Sequence, residues 1–257
     1  MQRLDLTLET PAENLALDEA LLDEAEVLAA GETGADPAAQ ANTSGGVLRL
    51  WEPAAPFVVL GRGSHIEREV DLAACRRLGI PVLRRASGGA AVVVGPGCLL
   101  YAVVLGYDRH PELRPLDSAH RFVLGRVAAA ASASVPHVAQ AGTSDLVVSQ
   151  QTLAQRKCSG NSLRCKRTHF LYHGTLMYDF DIGLVETCLR MPPRQPEYRQ
   201  RRSHAEFLAN LPASAGDLRR SLAGVWQADV PLSAWPRQRT AWLTENRYTC
   251  DAWTRSR

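Results

Sequence analysis

Hydrophobic and polar positions follow two different periods along the chain. Residues 3–8 alternate in the manner of a strand, and from Pro11 to Leu28 apolar residues recur at helical spacing with acidic residues on the opposite face. Short apolar runs farther along predict strands, and longer amphipathic stretches predict helices. The predicted strands cover 47–51, 57–60, 80–83 and 169–180, with a hairpin at 145–157, and the predicted helices cover 67–78, 116–134, 184–190, 215–227 and 233–246.

The order of these elements indicates the fold class. Several predicted strand pairs are joined by connections too short for a helical crossover, which favours antiparallel pairing. Strands and helices are interleaved, so we predict an α+β fold in two layers, with a mixed sheet and flanking helices. Residues 31–46 are rich in Gly, Ala, Thr, Ser and Asn without periodicity, and we interpret them as a flexible loop inserted within a single domain that spans 1–257.

Composition narrows the function classes. The chain has 257 residues, of which 46% are hydrophobic and 22% charged, as in ordinary globular proteins. Its longest apolar runs, 90–94 and 98–105, are far shorter than the roughly 20 residues that span a bilayer. No secretory signal is visible at the start, so we expect a cytoplasmic protein without a membrane role. A net charge of +2, without a ladder of interleaved aromatic residues, gives no support for nucleic acid as a partner.

The cysteines and lysines are informative because of their spacing and their scarcity. Six cysteines lack any C-x-x-C pair or zinc spacing, so neither a disulfide framework nor a structural metal is indicated. Only Lys157 and Lys166 are lysines among 29 basic residues, which makes both candidates for positions where a guanidinium cannot replace an amine.

Lys157 is the stronger candidate because small polar residues follow it. An amine at this point can bridge a carboxylate and a phosphate, while the small residues and their backbone donors surround the same ligand. The alternative is a solvated turn with an incidental lysine. Cys158 beside it suggests a thiol nucleophile, but adjacent strand residues point to opposite faces, so we expect Cys158 to face the core. The residues that follow are Ser159, Gly160, Asn161 and Ser162.

Two further segments carry candidate chemistry. The run 84–90 joins two strands, and its arginines, serine and glycines form a suitable cradle for an anion; the alternative is a hairpin turn with solvated arginines. At 172–176, His173, Gly174 and Thr175 interrupt an apolar strand, which suits the close approach of a ligand, although a satisfied core histidine is the alternative. The arginine-rich stretch 190–202 is interpreted as a surface loop, either solvated or in contact with an acidic protein.

Taken in order, these segments resemble the biotin/lipoate protein ligase family, and within it the branch of lipoate-protein ligases and octanoyltransferases. The resemblance covers most of the chain, and the ordered set is far more specific than any one motif. The matching segments are 14–21, 60–62, 79–89, 144–146, the Lys157 motif, 173–176 and 247–253.

The resemblance implies a class II aminoacyl-tRNA synthetase/biotin synthetase-like fold and an ATP- and Mg²⁺-dependent reaction. In family ligases, lipoate or octanoate and ATP form an acyl-adenylate, and the acyl group then passes to a lysine of a lipoyl carrier domain. Lys157 matches the central catalytic lysine, and Asp145 matches an acidic position near the adenylate that could bind Mg²⁺. Ser87, Gly88, Gly89, Gly160 and His173 match positions that line the ligand in the family. Together with the candidates taken from the three segments themselves, the residues expected to line the substrate are Arg84, Arg85, Ser87, Gly88, Gly89, Ala90, Ser159, Gly160, Asn161, Ser162, His173, Gly174 and Thr175.

The implied partners are acidic lipoyl carrier domains, such as dehydrogenase E2 subunits or the glycine cleavage H protein. The chain ends soon after the 247–253 motif, so we expect no C-terminal accessory domain, and either a separate subunit supplies it or the acyl donor arrives preactivated.

The sequence also departs from the family pattern. Ala90 stands where a third glycine is usual, 93–95 read Val-Val-Gly instead of aromatic-His-Asp, and 64–65 read Ser-His instead of Gln-Asn. Residues 142–144 contain no cysteine, whereas the cysteine-dependent transferases have their thiol there. Three hypotheses therefore stand: a ligase that forms an acyl-adenylate, a transferase that uses a preactivated donor, and a non-catalytic protein that binds acyl groups or carriers.

Overall fold

The computed structural model describes residues 1–31, 45–149 and 154–257. All but the ends of the loop predicted at 31–46, and part of the turn of the predicted 145–157 hairpin, lie outside the described residues.

The described residues form a large mixed sheet and a small one. The strands are β1 Gln2–Asp5, β2 Val47–Trp51, β3 Phe57–Leu60, β4 Val82–Arg84, β5 Val92–Val94, β6 Cys98–Gly106, β7 Val138–Ala141, β8 Asp145–Val148, β9 Arg156–Cys165, β10 His169–Met177 and β11 Val230–Pro231. Eight of them form one sheet in the order β11-β1-β2-β6-β10-β9-β8-β7, and β4-β3-β5 form the other. In the large sheet β1 is parallel to both neighbours and the other pairs are antiparallel, which confirms the predicted α+β fold with a mixed sheet.

Helices flank the large sheet on both faces. They are α1 Pro11–Ala30, α2 Ile66–Glu69, α3 Leu72–Leu78, α4 Leu116–Ser132, α5 Gly183–Cys188, α6 His204–Phe207, α7 Ala215–Val225, α8 Arg237–Leu243 and α9 Asp251–Thr254, and a π-helix, Thr244–Tyr248, continues α8. Apolar residues of the sheet pack with α4 and α7 in one cluster and with α1 in another. Among the described residues, no helix has the length and apolarity to cross a membrane.

Local sequence explains where α1 begins and ends. Thr10 and Glu13 form a capping box at its first turn, Pro11 occupies a first-turn position that needs no N–H donor, and Gly31 closes the helix with a left-handed φ of 67°. The helix also buries polar residues, including Asn14, Asp18 and Glu19, and these side chains position the site described below.

Four predicted elements differ from the structure. In the predicted hairpin 145–157, the second strand is β9, which begins at Arg156 and runs to Cys165, so Lys157 lies near the start of that strand. The predicted helix 67–78 is two helices, because Val70 leaves helical geometry to form a bridge with Leu189, and the Asp71 side chain caps α3. The predicted helix 233–246 begins only at Arg237, directly after Pro236, and continues as a π-helix to Tyr248. The predicted strand 169–180 ends at Met177, where the chain turns to bond the backbone of Gly97.

Candidate active site

A cleft of about 280 Å³ lies between the small sheet and strands β9 and β10 of the large sheet. Its apolar lining includes Leu15, Val59, Val93, Leu100 and Met177, which suits an aliphatic chain. Most of the residues that the sequence predicts for the site meet here: Arg85, Gly89, Ala90, Asp145, Lys157, Gly160, Asn161, Ser162, His173, Gly174 and Thr175 all line the cleft.

A β-bulge in β9 aims Lys157 into the cleft. Lys157 pairs with Val147 and Ser159 pairs with Leu146, so Cys158 is an extra residue on β9. The irregularity brings the Lys157 side chain beside Gly160, where an added Cβ would lie 3.0 Å from Nζ. The small residue at 160 therefore leaves room for the amine, and the Lys157 side chain is about one-fifth exposed.

Asp145 holds the amine of Lys157, and Tyr198 in turn holds Asp145. Lys157 Nζ lies 2.7 Å from Asp145 Oδ1, and the Tyr198 hydroxyl donates a 2.7 Å hydrogen bond to Asp145 Oδ2. Burial and the adjacent carboxylate raise the pKa of Tyr198, so its hydroxyl remains a donor. The arrangement fixes the direction of one positive charge in a cleft with an apolar lining.

Cys158 points away from the cleft, as the strand alternation predicts. It is fully buried among core residues that include Leu146 and Val148, and its thiol donates to the Leu146 carbonyl at 3.4 Å. Burial raises the pKa of this thiol to about 12, so almost none of it is thiolate near neutral pH. All six cysteines lie among the described residues, and none of them lines the cleft.

The connection between β4 and β5, which we call the glycine loop (residues 86–91), is held mainly by side chains. Arg85 is buried and donates to the carbonyls of Gly88 and Ala90, to the Val59 carbonyl and to the Ser87 hydroxyl. Its donors are thus occupied by the protein itself, although part of its side chain borders the cleft. Burial lowers the pKa of Arg85 to about 10, a value at which it stays charged.

Further contacts hold the same loop from the large sheet and from α2. Ser162 Oγ donates to the Gly88 carbonyl at 2.8 Å, and Arg164 donates to the Ala86 carbonyl at 3.0 Å. Glu69 accepts the Ala91 N–H at 2.7 Å, and Ser64, at one of the positions that departs from the family pattern, bonds the Gly89 carbonyl at 3.1 Å.

Gly61 explains part of the 60–62 motif. An added Cβ there would lie only 1.8 Å from the Gly89 carbonyl oxygen, so a glycine is required for the chain to approach the loop.

Arg84 faces away from the cleft. It is fully buried, and its guanidinium donates to the carbonyls of Gly61 at 2.7 Å, Ser64 at 2.8 Å and Thr254 at 2.7 Å. The Trp253 indole in turn donates to the Arg84 carbonyl at 2.8 Å. Arg84 therefore joins the glycine-loop region to the C-terminal helix, and the described geometry brings it no contact with the cleft.

His173 belongs to a hydrogen-bonded network that begins in the core. Its Nε2 lies 2.5 Å from Ser87 Oγ, and its Nδ1 lies 3.3 Å from Asp18 Oδ2. Asp18 is paired with the fully buried Arg49 at 2.6 Å. Ser87 is itself buried, whereas His173 reaches the cleft.

Asn161 and Gly174 are packed against each other across β9 and β10. Asn161 Nδ2 donates to the Ser144 carbonyl at 2.8 Å, and its Oδ1 accepts from the Tyr101 hydroxyl. A Cβ on Gly174 would lie 1.8 Å from that Oδ1, so the glycine makes room for the amide. Ser159 is fully buried, and its Oγ lies 3.0 Å from Asn161 Nδ2, which makes it a support for Asn161 and not a cleft residue.

The arginine-rich stretch borders the cleft and is not uniformly solvated. Arg190 and Arg194 are exposed residues on its lining. Arg199 is buried, lies over the Phe207 ring with its guanidinium carbon 4.6 Å from the centroid, and faces His204. The interpretation of 190–202 as a surface loop is therefore wrong for Arg199.

The second lysine has a structural role. Lys166 Nζ lies 2.5 Å from Asp23 Oδ1 in α1, and Lys166 is not part of the cleft lining.

Each of the three acidic residues on the described cleft lining already has a partner, and Asp145 holds both Lys157 and Tyr198. Of the other two acidic residues on the described lining, Asp18 is paired with Arg49 and Glu69 accepts from Ala91. The described residues contain no group of three or more His, Cys, Asp or Glu side chains arranged around one point as for a metal. Mg²⁺ often binds one or two carboxylates together with substrate phosphates, and Asp145 fits that mode once it gives up one of its two partners.

Sequence reasoning missed four residues that position the site: Asp18, Arg49, Glu69 and Tyr198. Asp18 lies in the 14–21 segment and Tyr198 is the lone aromatic of the arginine-rich stretch, so both lie in segments that the sequence singles out. Arg49 and Glu69 carry no local signal, because their roles arise from contacts between distant segments.

Comparison with known proteins agrees with this geometry. A sequence model of the lipoyl protein ligase A/B catalytic domain matches residues 10–220. The octanoyltransferase LipM of Carboxydothermus hydrogenoformans is 29% identical over 205 residues, which cover 75% of this chain and 70% of that protein.

Two solved structures share the fold. A bi-partite lipoate protein ligase from Thermoplasma acidophilum, studied with its E2 lipoyl domain, gives a TM-score of 0.77 at 21% identity and covers 99% of this chain and 96% of its own. A lipoate-protein ligase A bound with ATP gives a TM-score of 0.74 at 19% identity over 99% and 98% of the two chains.

Proposed function

This chain belongs to the lipoyl protein ligase A/B family, whose members attach lipoyl or octanoyl groups, and from that premise we propose that it is an ATP-dependent lipoate-protein ligase. In this proposal lipoate or octanoate is activated as an acyl-adenylate and then joined to a lysine of a lipoyl carrier domain. The observation that carries the proposal is the Lys157 amine, fixed by Asp145 in a cleft whose described lining includes no cysteine.

The chemistry of Lys157 suits both half reactions. When the acid attacks the α-phosphate of ATP, and again when an amine attacks the acyl carbonyl, negative charge develops on oxygens. An ammonium that is already held in place stabilises that charge without reorganisation. Asp145 and Tyr198 supply the orientation, and Arg85 keeps the glycine loop in position.

ATP and Mg²⁺ are part of the same proposal. Asp145 would hold the metal together with the nucleotide phosphates after releasing one of its two present partners, and the metal would neutralise phosphate charge. A lipoate-protein ligase A with this fold is known bound with ATP, which supports a nucleotide in the cleft.

A transferase that uses a preactivated acyl donor is the second candidate. The similarity to an octanoyltransferase favours it. A thioenzyme intermediate would need a reactive cysteine, and the one beside Lys157 is buried with its pKa raised to about 12. The cleft therefore gives more support to the ligase.

Pyrophosphate release distinguishes the candidates. With ATP, Mg²⁺ and lipoate or octanoate, the wild-type protein should release pyrophosphate, and both Lys157→Ala and Lys157→Arg should lower the rate by at least about 100-fold. Lys166→Ala is the matched control, because it removes the other lysine, outside the cleft, and leaves Asp23 paired with Arg239.

The remaining outcomes identify the alternatives. Transfer from an acyl-carrier thioester without ATP, lost in Cys158→Ala, would replace the ligase with a thiol transferase. Ligand binding without either reaction would support the third hypothesis, a non-catalytic protein that binds acyl groups or carriers.

We further propose an acidic lipoyl carrier domain as the acyl acceptor, with a separate accessory subunit as an additional partner. The structurally similar Thermoplasma acidophilum ligase is bi-partite and was studied with its E2 lipoyl domain. Here Arg190 and Arg194 are exposed on the cleft lining, and Arg201 is exposed two residues along the chain from Arg199, which also lines the cleft, so these charges would attract acidic surfaces.

Replacement of the exposed arginine outside the cleft lining tests this contact. Arg201→Glu should lower kcat/KM for the carrier and weaken its dependence on salt, while pyrophosphate release with the free acid stays unchanged. An unchanged kcat/KM for the carrier would show that Arg201 is not part of the surface that binds the carrier.

A further inference from the structure

The hydrogen-bonded network around His173 connects the protein core to the cleft. Arg49 is fully buried on β2 and pairs with Asp18 Oδ1 at 2.6 Å. The other oxygen of Asp18 faces His173 Nδ1 at 3.3 Å, and His173 Nε2 lies 2.5 Å from Ser87 Oγ. The imidazole is thus oriented at both nitrogens, and its ring borders the cleft.

The donors in this network assign the tautomer of His173. Arg85 Nε donates to Ser87 Oγ at 3.1 Å, so the hydroxyl hydrogen of Ser87 is free to point at His173 Nε2. The carboxylate of Asp18 can only accept at Nδ1. The proton of the neutral ring therefore lies on Nδ1, and Nε2 carries a lone pair.

Amide formation needs a proton acceptor in the cleft. The carrier lysine arrives as an ammonium, which has no lone pair for attack until it loses a proton. Lys157 is ion-paired with Asp145 and cannot serve as an acceptor while it is charged. His204 also borders the cleft, but its Nδ1 faces Arg199 and its Nε2 faces the Arg190 carbonyl. Of these two imidazoles among the described cleft residues, only His173 has its Nε2 facing a side-chain hydroxyl, which can rotate away, and not a guanidinium or a backbone carbonyl.

We propose that His173 Nε2 takes the proton from the carrier lysine. This step rests on the proposed attachment of an acyl group to a carrier, and it applies to either acyl donor. The ammonium gives one proton to Nε2, displacing the Ser87 hydroxyl. The freed amine attacks the acyl carbonyl, a C–N bond forms, and the C–O bond to the phosphate of AMP breaks. The second nitrogen-bound proton leaves with AMP, so charge and atoms balance.

Hydroxylamine separates this role from acyl activation. It is largely unprotonated near neutral pH, so it captures an activated acyl group without the help of a base. In His173→Gln, ATP-dependent formation of acyl hydroxamate should continue and should fall far less than transfer to the carrier lysine. Transfer to the carrier lysine should fall about 100-fold or more, the range typical of lost general-base catalysis. Hydroxamate formation in the same variant also shows that it is folded.

His169→Gln is the matched control. His169 lies on the same strand, near a carboxylate of α1, and is not on the cleft lining, so its loss should leave the ratio of lysine transfer to hydroxamate unchanged.

In His173→Ala, added imidazole should restore part of the transfer to lysine. Equal losses of hydroxamate and lysine transfer in His173→Gln, or no loss of either, would overturn the proposal.

The same experiment keeps the two proposals apart. Wild-type protein that makes no hydroxamate with ATP, but transfers from an acyl thioester, would contradict the ligase proposal alone. The comparison of hydroxylamine with lysine, made with the thioester donor, would then still test His173.

Discussion

At the scale of single residues, the site depends on where side chains are absent as well as on where they are present. Gly174 permits Asn161 to bond Tyr101 and the Ser144 carbonyl, because a Cβ at 174 would lie 1.8 Å from Asn161 Oδ1. We expect Gly174→Ala to displace the amide, to reduce the free energy of unfolding by about 1–3 kcal/mol and to weaken acyl activation. Urea unfolding and the pyrophosphate assay measure the two effects.

Gly125→Ala is the control for this substitution. Gly125 lies inside α4, where an added Cβ meets nothing within 4 Å, so alanine should stabilise the protein by about 0.5–1 kcal/mol. Equal behaviour of the two alanine variants would show that Asn161 can move without loss.

The residues that could be identified from sequence share a property: their chemistry is unusual for their local context. Lys157 is one of two lysines, and His173 interrupts an apolar strand. Arg84 looks like a ligand donor for the same reason, yet its partners are carbonyls of Gly61, Ser64 and Thr254. Sequence shows that a guanidinium needs acceptors, but it does not show whether a ligand or a distant backbone segment provides them.

At the scale of elements, Arg84 connects three segments that are far apart in sequence. It bonds the turn after β3 and the last helix, while Trp253 returns a bond to its carbonyl. Arg84→Gln would leave several buried carbonyls without donors, so we expect a loss of about 2–4 kcal/mol in the free energy of unfolding and earlier proteolysis of α9. Urea unfolding and limited proteolysis followed by mass spectrometry measure both.

Arg255→Gln is the control for the C-terminal helix. Arg255 forms an exposed pair with Asp251, which contributes at most about 0.5 kcal/mol. If Arg84→Gln is as stable as Arg255→Gln, the C-terminal helix does not depend on the buried guanidinium.

Most helices and strands could be predicted because the hydrophobic positions in each of them recur with a clear period. The exceptions arise from pairing that no local pattern shows. Val70 interrupts the predicted helix 67–78 because it bridges to Leu189, more than a hundred residues later. In the same way, the bulge at Cys158 is set by the partner strand β8, and it decides which face Lys157 occupies.

At the scale of the whole molecule, three largely buried histidines link stability to pH. Burial lowers the pKa of His120, His169 and His204 below their ordinary 6.5. Once the pH falls below about 6.5, the unfolded chain therefore binds more protons than the folded one. The stability that comes from the neutral rings is complete above pH 6.5, and it is lost as the pH falls through the lower pKa values of the folded protein. We expect the free energy of unfolding, measured in urea, to decrease from pH 7.5 to pH 5.5, a window in which ordinary carboxyl groups stay ionised. His120→Gln, which removes one of the three, should make this decrease smaller, whereas a decrease as steep as that of the wild type would show that His120 does not titrate differently in the two states.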